Sequence, residues 1–435
     1  MNNITLVFII ILLQIRIFAQ NLYFPPINGN TWDTISPQSL GYCQTKIDSL
    51  YSFLDSTNTK AFILLKNGKI VLEKYFHSHT QSSYWYWASA GKTLTAFIIG
   101  IAQQEGYLSI TDTTSKFLGQ GWTKCTPEQE EKITIRHQLT MTTGLDDNVP
   151  DPYCTIDTCL IYKADAGTRW AYHNAPYTLL DRVIEVATGT SLNNYLSQKL
   201  LSKIGMQGSF FQIGFNNVFF SDARSMARFG LLILNKGNWN GTQIMNDSAY
   251  FEEMINTSQN LNKSYGYLWW LNGKESFMVP ASQFVFNGPL FPDAPADMIS
   301  AIGKDGQFLN IVPSQNLIWL RLGENPDNLP LPFLLNNEIW RYINDLNCLN
   351  LLNNDYLPNV KLYPNPTNDF LFINANKNIV NIELYNIYGK IIKEFKVFSK
   401  EIKLPISTLD EGFYFIKLFF NNNQIYIGKI LKTNF

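Results

Sequence analysis

The sequence predicts an α/β sandwich followed by a small all-β sandwich domain. Three observations predict it. A β-hairpin signal stands near the start, apolar helical patterns fill the middle with strand-like runs returning at 300–322, and beyond Pro358 the chain turns into short β-rich runs separated by turn residues. Strands at both ends of the large domain, with helices between them, imply one sheet shared by its N- and C-terminal segments. At 435 residues the chain exceeds what one hydrophobic core usually organises, so at least two domains are expected.

Taken in order, the first element is an apolar run from Ile4 to Leu13, followed by Ile17-Phe18-Ala19 before Gln20. It reads as a secretory signal over 1–19, cleaved after Ala19, because a spanning helix needs ~20 apolar residues. The residues before the run include no Lys or Arg, which leaves an uncleaved anchor open; no Cys follows that would mark a lipoprotein. The expectation is a mature chain without a transmembrane segment. Residues 61–76 form two apolar runs around Asn67-Gly68, a hairpin signal. His77 and His79 continue the alternation of the second run without partner ligands nearby and read as surface histidines. From Ala88 to Gln104, Leu94, Phe97, Ile98 and Ile101 recur at helical spacing, with Gly106 as a stop. A further helix spans 176–187, with Asn174 placed to cap its start and Gly189 beyond its end. Helices are expected over 221–234 and 335–347, and strands over 300–302, 308–312 and 317–322. Composition then shifts at 351–359, a linker, and a small β domain follows over 360–435.

Composition narrows function. The hydrophobic share of 46% and charged share of 16% suit a packed protein, and 34 basic against 35 acidic side chains leave no field or basic run to attract nucleic acid. Five cysteines in an exported chain meet an oxidising compartment, and one must stay unpaired. Cys154 with Cys159 would close a short loop, and Cys43 with Cys348 would tie the ends of the large domain together. No Cys-x-x-Cys occurs, so no metal is expected, and the serine chemistry set out below requires no cofactor.

The chemistry concentrates at Ser89-Ala90-Gly91-Lys92, where the hydroxyl and the amine fall one helical turn apart on one face. A serine needs a neighbouring base, and a lysine serves only when neutral, which partial burial and the positive end of a helix dipole both favour. The helix start also points a backbone N–H at an oxyanion formed over Ser89. Ser-x-x-Lys alone is weak, and a cap with a solvated lysine is the bland alternative. Placement after a hairpin and the run Tyr84-Trp85-Tyr86-Trp87, ahead of an apolar helix, favours chemistry. A nucleophile elbow of the Gly-x-Ser-x-Gly kind is excluded by Trp87.

On these residues the chain resembles the serine β-lactamase and penicillin-binding-protein family, in the branch of class C β-lactamases, D-peptidases, esterases and 6-aminohexanoate-oligomer hydrolases. Ser89-Ala90-Gly91-Lys92 is similar to the first motif and Tyr172-His173-Asn174 to the second, the Tyr-x-Asn. Lys304-Asp305-Gly306 matches the third, Lys-Thr-Gly or His-x-Gly on an edge strand. IRHQLTMTTGL at 135–145, KIGM at 203–206, SDARSMARFGLLIL at 221–234 and YGYLWW at 265–270 look like further landmarks, so that the likeness runs over about 40–346 of a hydrolase domain spanning 20–350. The resemblance implies a β-lactamase/transpeptidase-like fold, an antiparallel sheet with helices on both faces and an all-helical lobe. It implies Ser89 as nucleophile, Lys92 and Tyr172 as its proton-handling partners, and the N–H groups of Ser89 and Gln307 as the oxyanion hole. It implies Asn174, Lys304, Asp305 and Gly306 as substrate-binding residues.

Two departures shape the expected substrate. No Glu occurs between Lys132 and Ile184, so Tyr172 rather than a glutamate is the expected deacylation base. Asp305 stands where the family often has a hydroxyl that helps bind a carboxylate, and an acidic group there disfavours β-lactams and free C-terminal carboxylates in favour of neutral esters or amides, small-molecule or peptide-like. The alternative is a penicillin-recognising sensor that acylates without turnover; a third reading is an adhesin with an idle large domain. LYPNPTNDFLFI, IELYNIYGKIIKEF and STLDEGFYFIKLF resemble the sorting domain recognised by the type IX secretion machinery of Bacteroidota. That likeness implies passage through the periplasm to the cell surface or the outside; the strand pattern by itself equally permits a carbohydrate-binding or adhesive module.

Overall fold

The computed structural model describes residues 22–326, 332–348, 358–387, 389–421 and 424–433. The expected signal over 1–19 and most of the expected linker lie outside the described residues. The strands of the large domain that position the site are β1 (Thr59–Lys66), β2 (Lys69–Tyr75), β3 (Trp270–Leu271), β4 (Ile299–Gly303), β5 (Gln307–Val312) and β6 (Leu317–Gly323). Its main helices are α1 (Gln44–Ser56), α2 (Lys92–Gln104), α3 (Asn174–Thr188), α4 (Ala223–Leu234) and α5 (Phe333–Asn344).

Asn67 and Gly68 join β1 to β2 with φ of 50° and 82°, the left-handed pair of a type I′ turn, whose twist matches that of the strands it connects. The six strands form an antiparallel sheet in the order β2-β1-β6-β5-β4-β3. Leu64 of β1 sits opposite Trp319 of β6, so the first and last strands of the domain are neighbours, as the distribution of apolar runs implies. Every residue of β5 and β6 is buried because both faces of the sheet are covered. Alternation decides what each residue meets. Leu309 and Ile318 reach α4 at Gly230, whereas Trp319 turns to the other face and packs on Trp340 of α5, ring centres 5.8 Å apart. There α1 lies beside α5, Phe53 stacking on Tyr342 at 4.5 Å.

The ends of the domain are held by Cys43–Cys348, by backbone bonds from Cys43 to Leu346 and from Cys348 to Gly41, and by the Lys46–Asp345 ion pair. Cys154–Cys159 closes its short loop and Cys125 is free, so both cysteine pairings that the spacing suggested are present. Two local expectations change. β2 ends at Tyr75; His77 lies exposed in the turn that follows and faces Asp55, whereas His79 beyond it is half-buried against Trp85 rather than a surface histidine. Asn174 is the first residue of α3 rather than its cap; His173 occupies the cap position with extended backbone and no side-chain cap.

The C-terminal region has its own core, built from Leu371, Ile382, Leu384, Ile416 and Leu418 among others. Its strands β7 (Val360–Tyr363), β8 (Phe370–Asn386), β9 (Ile391–Pro405), β10 (Gly412–Phe420) and β11 (Ile425–Lys432) form one connected sheet. β8 pairs with β7 along its first half and with β10 along its second, its register breaking between Asn374 and Ile379, while Thr367 bridges Lys432 on β11. The expected small all-β domain is present, its strands hydrogen-bonded in one connected sheet with its own apolar core.

Candidate active site

The nucleophile segment is fixed by its flanks. Trp85–Tyr86 form a short strand paired with the strand Asn216–Ser221, and the Trp87 N–H donates to Phe219 O at 2.8 Å. Ala88 then takes φ 47°, a left-handed conformation that costs a non-glycine residue roughly 1–2 kcal/mol and that its single methyl tolerates. That bend starts the 3₁₀ turn Ala88–Gly91, which carries Ser89 and runs directly into α2. The early N–H groups of such a turn have no partner within it.

Lys92 begins α2 and is 4% exposed. Its Nζ lies 2.8 Å from Ser89 Oγ and 2.8 Å from Asn174 Oδ1, donating to both when charged. Burial brings its pKa down to about 7, with Asp181 pulling the other way, so near neutrality a large share of the amine is free base. Lys92 also sits over the rings of Tyr177 and Tyr172, 4.4 and 5.1 Å from their centres. Tyr172, just ahead of α3, stacks on Trp270 at 5.7 Å. Burial holds its phenol well above the usual tyrosine range, and a hydrogen bond with Ser89 pulls in the opposite direction. The fold therefore brings Ser89, Lys92, Tyr172 and Asn174 together. Asn174 spends its carbonyl oxygen on Lys92, so within this group it orients the amine. His173 between them is buried and pushed down to about 4 by burial, hence neutral.

The sheet approaches from the side of β4. A Cβ on Gly303 would stand 2.3 Å from Trp87 O and 3.1 Å from Ala90 N, so only glycine lets this strand end lie against the nucleophile turn. The turn that follows carries the remaining expected residues. Lys304 is exposed, and Asp305, at φ 62°, accepts a hydrogen bond from the Tyr86 hydroxyl at 2.8 Å. Gly306 abuts Arg321, whose guanidinium donates to the carbonyls of Asp305 and Gly306. Gln307 is fully buried opposite Gly303 as the closing pair of the hairpin, its side-chain amide donating to the carbonyls of Gly323 and Lys304.

The family model described as beta-lactamase matches residues 57–323, more than half of the chain and every element just described. This chain belongs to the beta-lactamase family. The model of a secretion-system C-terminal sorting domain matches residues 361–433, which marks the protein for type IX secretion to the cell surface or beyond. An uncharacterized protein of Alkalihalophilus pseudofirmus is 23% identical over 62% of this chain and 84% of its own length. Among solved structures, a Bacillus anthracis protein assigned as a 6-aminohexanoate-dimer hydrolase is 22% identical with a TM-score of 0.56, covering 76% of this chain and 90% of that one. The octameric penicillin-binding-protein homologue of Pyrococcus abyssi is 16% identical with a TM-score of 0.53, covering 89% and 96%. At these identities the likeness is one of fold.

In this member of the beta-lactamase family, sequence reasoning passed over Ala88, Tyr177, Asp181, Asn217 and Gly303. Asp181 carried a legible signal: it falls seven residues after Asn174, on the stripe of α3 that the apolar residues assign to the core.

Proposed function

We propose that this exported beta-lactamase-family protein is a serine hydrolase that cleaves a neutral ester or amide through an acyl-enzyme on Ser89. The observation that carries the reading is the 2.8 Å separation of Ser89 Oγ from a buried lysine amine whose pKa burial has drawn down to about 7. Lys92 Nζ takes the hydroxyl proton as Ser89 Oγ bonds to the carbonyl carbon, and the oxyanion forms near the Ser89 N–H. Gln307, implied by the resemblance as the second donor, pairs with Gly303, the residue that lies against the nucleophile turn, and its N–H is the proposed partner of the Ser89 N–H. The tetrahedral adduct collapses, and the leaving alcohol or amine departs with a proton. Tyr172 suits that delivery, because a phenol held above its ordinary range starts protonated. Water then attacks the acyl carbon as the Tyr172 phenolate takes its proton, and the bond from the acyl carbon to Ser89 Oγ breaks as the Lys92 ammonium returns its proton to that oxygen, restoring all three groups. Asp305, with Lys304 and Gly306 beside it, sets a carboxylate next to the strand end, which favours substrates without a negative charge there. No step calls for a metal or cofactor.

The test incubates the full chain with a chromogenic ester and a chromogenic cephalosporin and follows intact mass. Steady product from the ester with little from the cephalosporin is expected, together with fluorophosphonate labelling that Ser89→Ala abolishes. A persistent adduct without turnover would mean a sensor, and an active alanine variant would remove Ser89 from the chemistry.

A further inference from the structure

Beneath the nucleophile a second polar group lies in the seam between α2 and α3. Asp181 is 4% exposed and faces α2 one turn below Lys92. Its carboxylate accepts from Asn217 Nδ2 at 2.9 Å, contributed by the strand Asn216–Ser221, and from Thr95 Oγ1 at 3.4 Å. On its own helix, Glu185 acts on it unfavourably, and Tyr177, whose ring centre is 4.4 Å from Lys92 Nζ, is hydrogen-bonded to Thr95. Around Lys92 the other polar groups are Ser89, Asn174, Tyr172 and Tyr177, all without formal charge at neutral pH. Asp181 is thus the acidic group whose charge reaches the amine.

A buried carboxylate with two donors, one of them long, is expensive to keep. Core packing alone would be served by an apolar residue on this stripe. We propose that Asp181 is a positioning residue for the acylation step, supplying the counter-charge for the ammonium that Lys92 becomes when it takes the Ser89 proton. Without it the proton would move onto an amine enclosed by neutral groups, and the ion pair of ammonium and oxyanion would form with nothing behind it. Asp181 also limits how far burial can weaken Lys92 as a base, and a general base works best with its pKa near the working pH. Burial in turn raises Asp181 to about 7, so the charge is fully present only above neutrality.

This inference rests on the reading of Lys92 as the base, and the experiment separates the two. The pH profile of acylation is recorded by stopped-flow with a chromogenic ester for the wild type and for Asp181→Asn, which keeps the shape of the side chain and its pairing with Thr95. Removing the negative charge lowers the pKa of Lys92, so the ascending limb moves about one unit toward lower pH, the lower end of what a nearby opposite charge does. The plateau falls at least tenfold. Should the asparagine variant fail to fold by circular dichroism, Asn217→Ala serves instead: it removes the better donor to the carboxylate, favours its protonated form and moves the limb the same way. A limb near pH 7 in the wild type that neither substitution shifts would overturn the role of Asp181 while leaving Lys92 as base. A wild type without that limb would overturn the reading beneath it.

Discussion

Lys92→Met removes the proposed base and should stabilise the protein. The unfolded chain holds the lysine proton up to pH 10.5, whereas the folded site gives it up at about 7, because the ammonium is desolvated. Between those values the unfolded state binds more protons, so this residue makes folding less favourable as pH falls from 10.5 to about 7 and costs a constant amount below. At about 1.4 kcal/mol per pH unit, the full cost is about 5 kcal/mol. At pH 6 Asp181, itself raised to about 7, is mostly protonated, so deleting the amine strands little negative charge there. Methionine fills a similar volume, and imperfect packing takes back roughly 1 kcal/mol. The variant should therefore be inactive yet about 4 kcal/mol more stable than wild type at pH 6, the gain shrinking toward about 1 kcal/mol at pH 9. Urea unfolding followed by tryptophan fluorescence, at both pH values and with matched slopes, measures it. A variant no more stable than wild type at pH 6, or a gain independent of pH, would show that Lys92 does not carry the depressed pKa on which the proposed chemistry depends.

Three further outcomes follow from the geometry. Tyr172→Phe keeps the stack on Trp270 and removes the phenol, so turnover should fall about 10²–10⁴-fold with acyl-enzyme accumulating in intact-mass spectra; unchanged kinetics would dismiss it. Gly303→Ala drives a methyl to 2.3 Å from Trp87 O, displacing the segment that carries Ser89, and kcat/KM should drop about 100-fold while circular dichroism stays native. Cys43→Ala with Cys348→Ala opens a loop spanning 305 residues and should cost up to about 5 kcal/mol in urea unfolding, unless contacts such as Lys46–Asp345 hold the ends without it.

Much of this was legible because it is local. Asn67-Gly68 dictates its own turn, and Ser89 and Lys92 meet through helical spacing alone. What escaped depends on partners far along the chain. Asn174 reads as a cap because a short amide before an apolar helix ordinarily bonds its own backbone. The structure gives its oxygen to Lys92 instead, a choice no local pattern can express. Gly303 stands just outside the expected strand 300–302, where a glycine suggests no more than a turn, yet its missing side chain is what admits the strand end to the nucleophile turn. Asp181 sits on the apolar stripe of α3, but its partners Thr95 and Asn217 come from distant segments, so its chemistry is not expressed locally.

Two basic residues show why burial alone does not identify chemistry. Lys92 in KTLTAFII and Arg321 in LIWLRLG both stand as lone cations in apolar runs, and both are buried. The guanidinium of Arg321 donates to Thr59 Oγ1 and to the carbonyls of Thr57, Glu324, Asp305 and Gly306. Burial lowers it only to about 9, so it stays charged at neutral pH and pins the turn after β4 to the sheet. Lys92 has two neutral acceptors, one of them the nucleophile itself, and comes down to about 7. A charge whose donors are all met by fixed acceptors is structural; one whose proton is as well placed on a neighbouring hydroxyl can do work. The sequence presents them alike, and only the count of acceptors around each tells them apart.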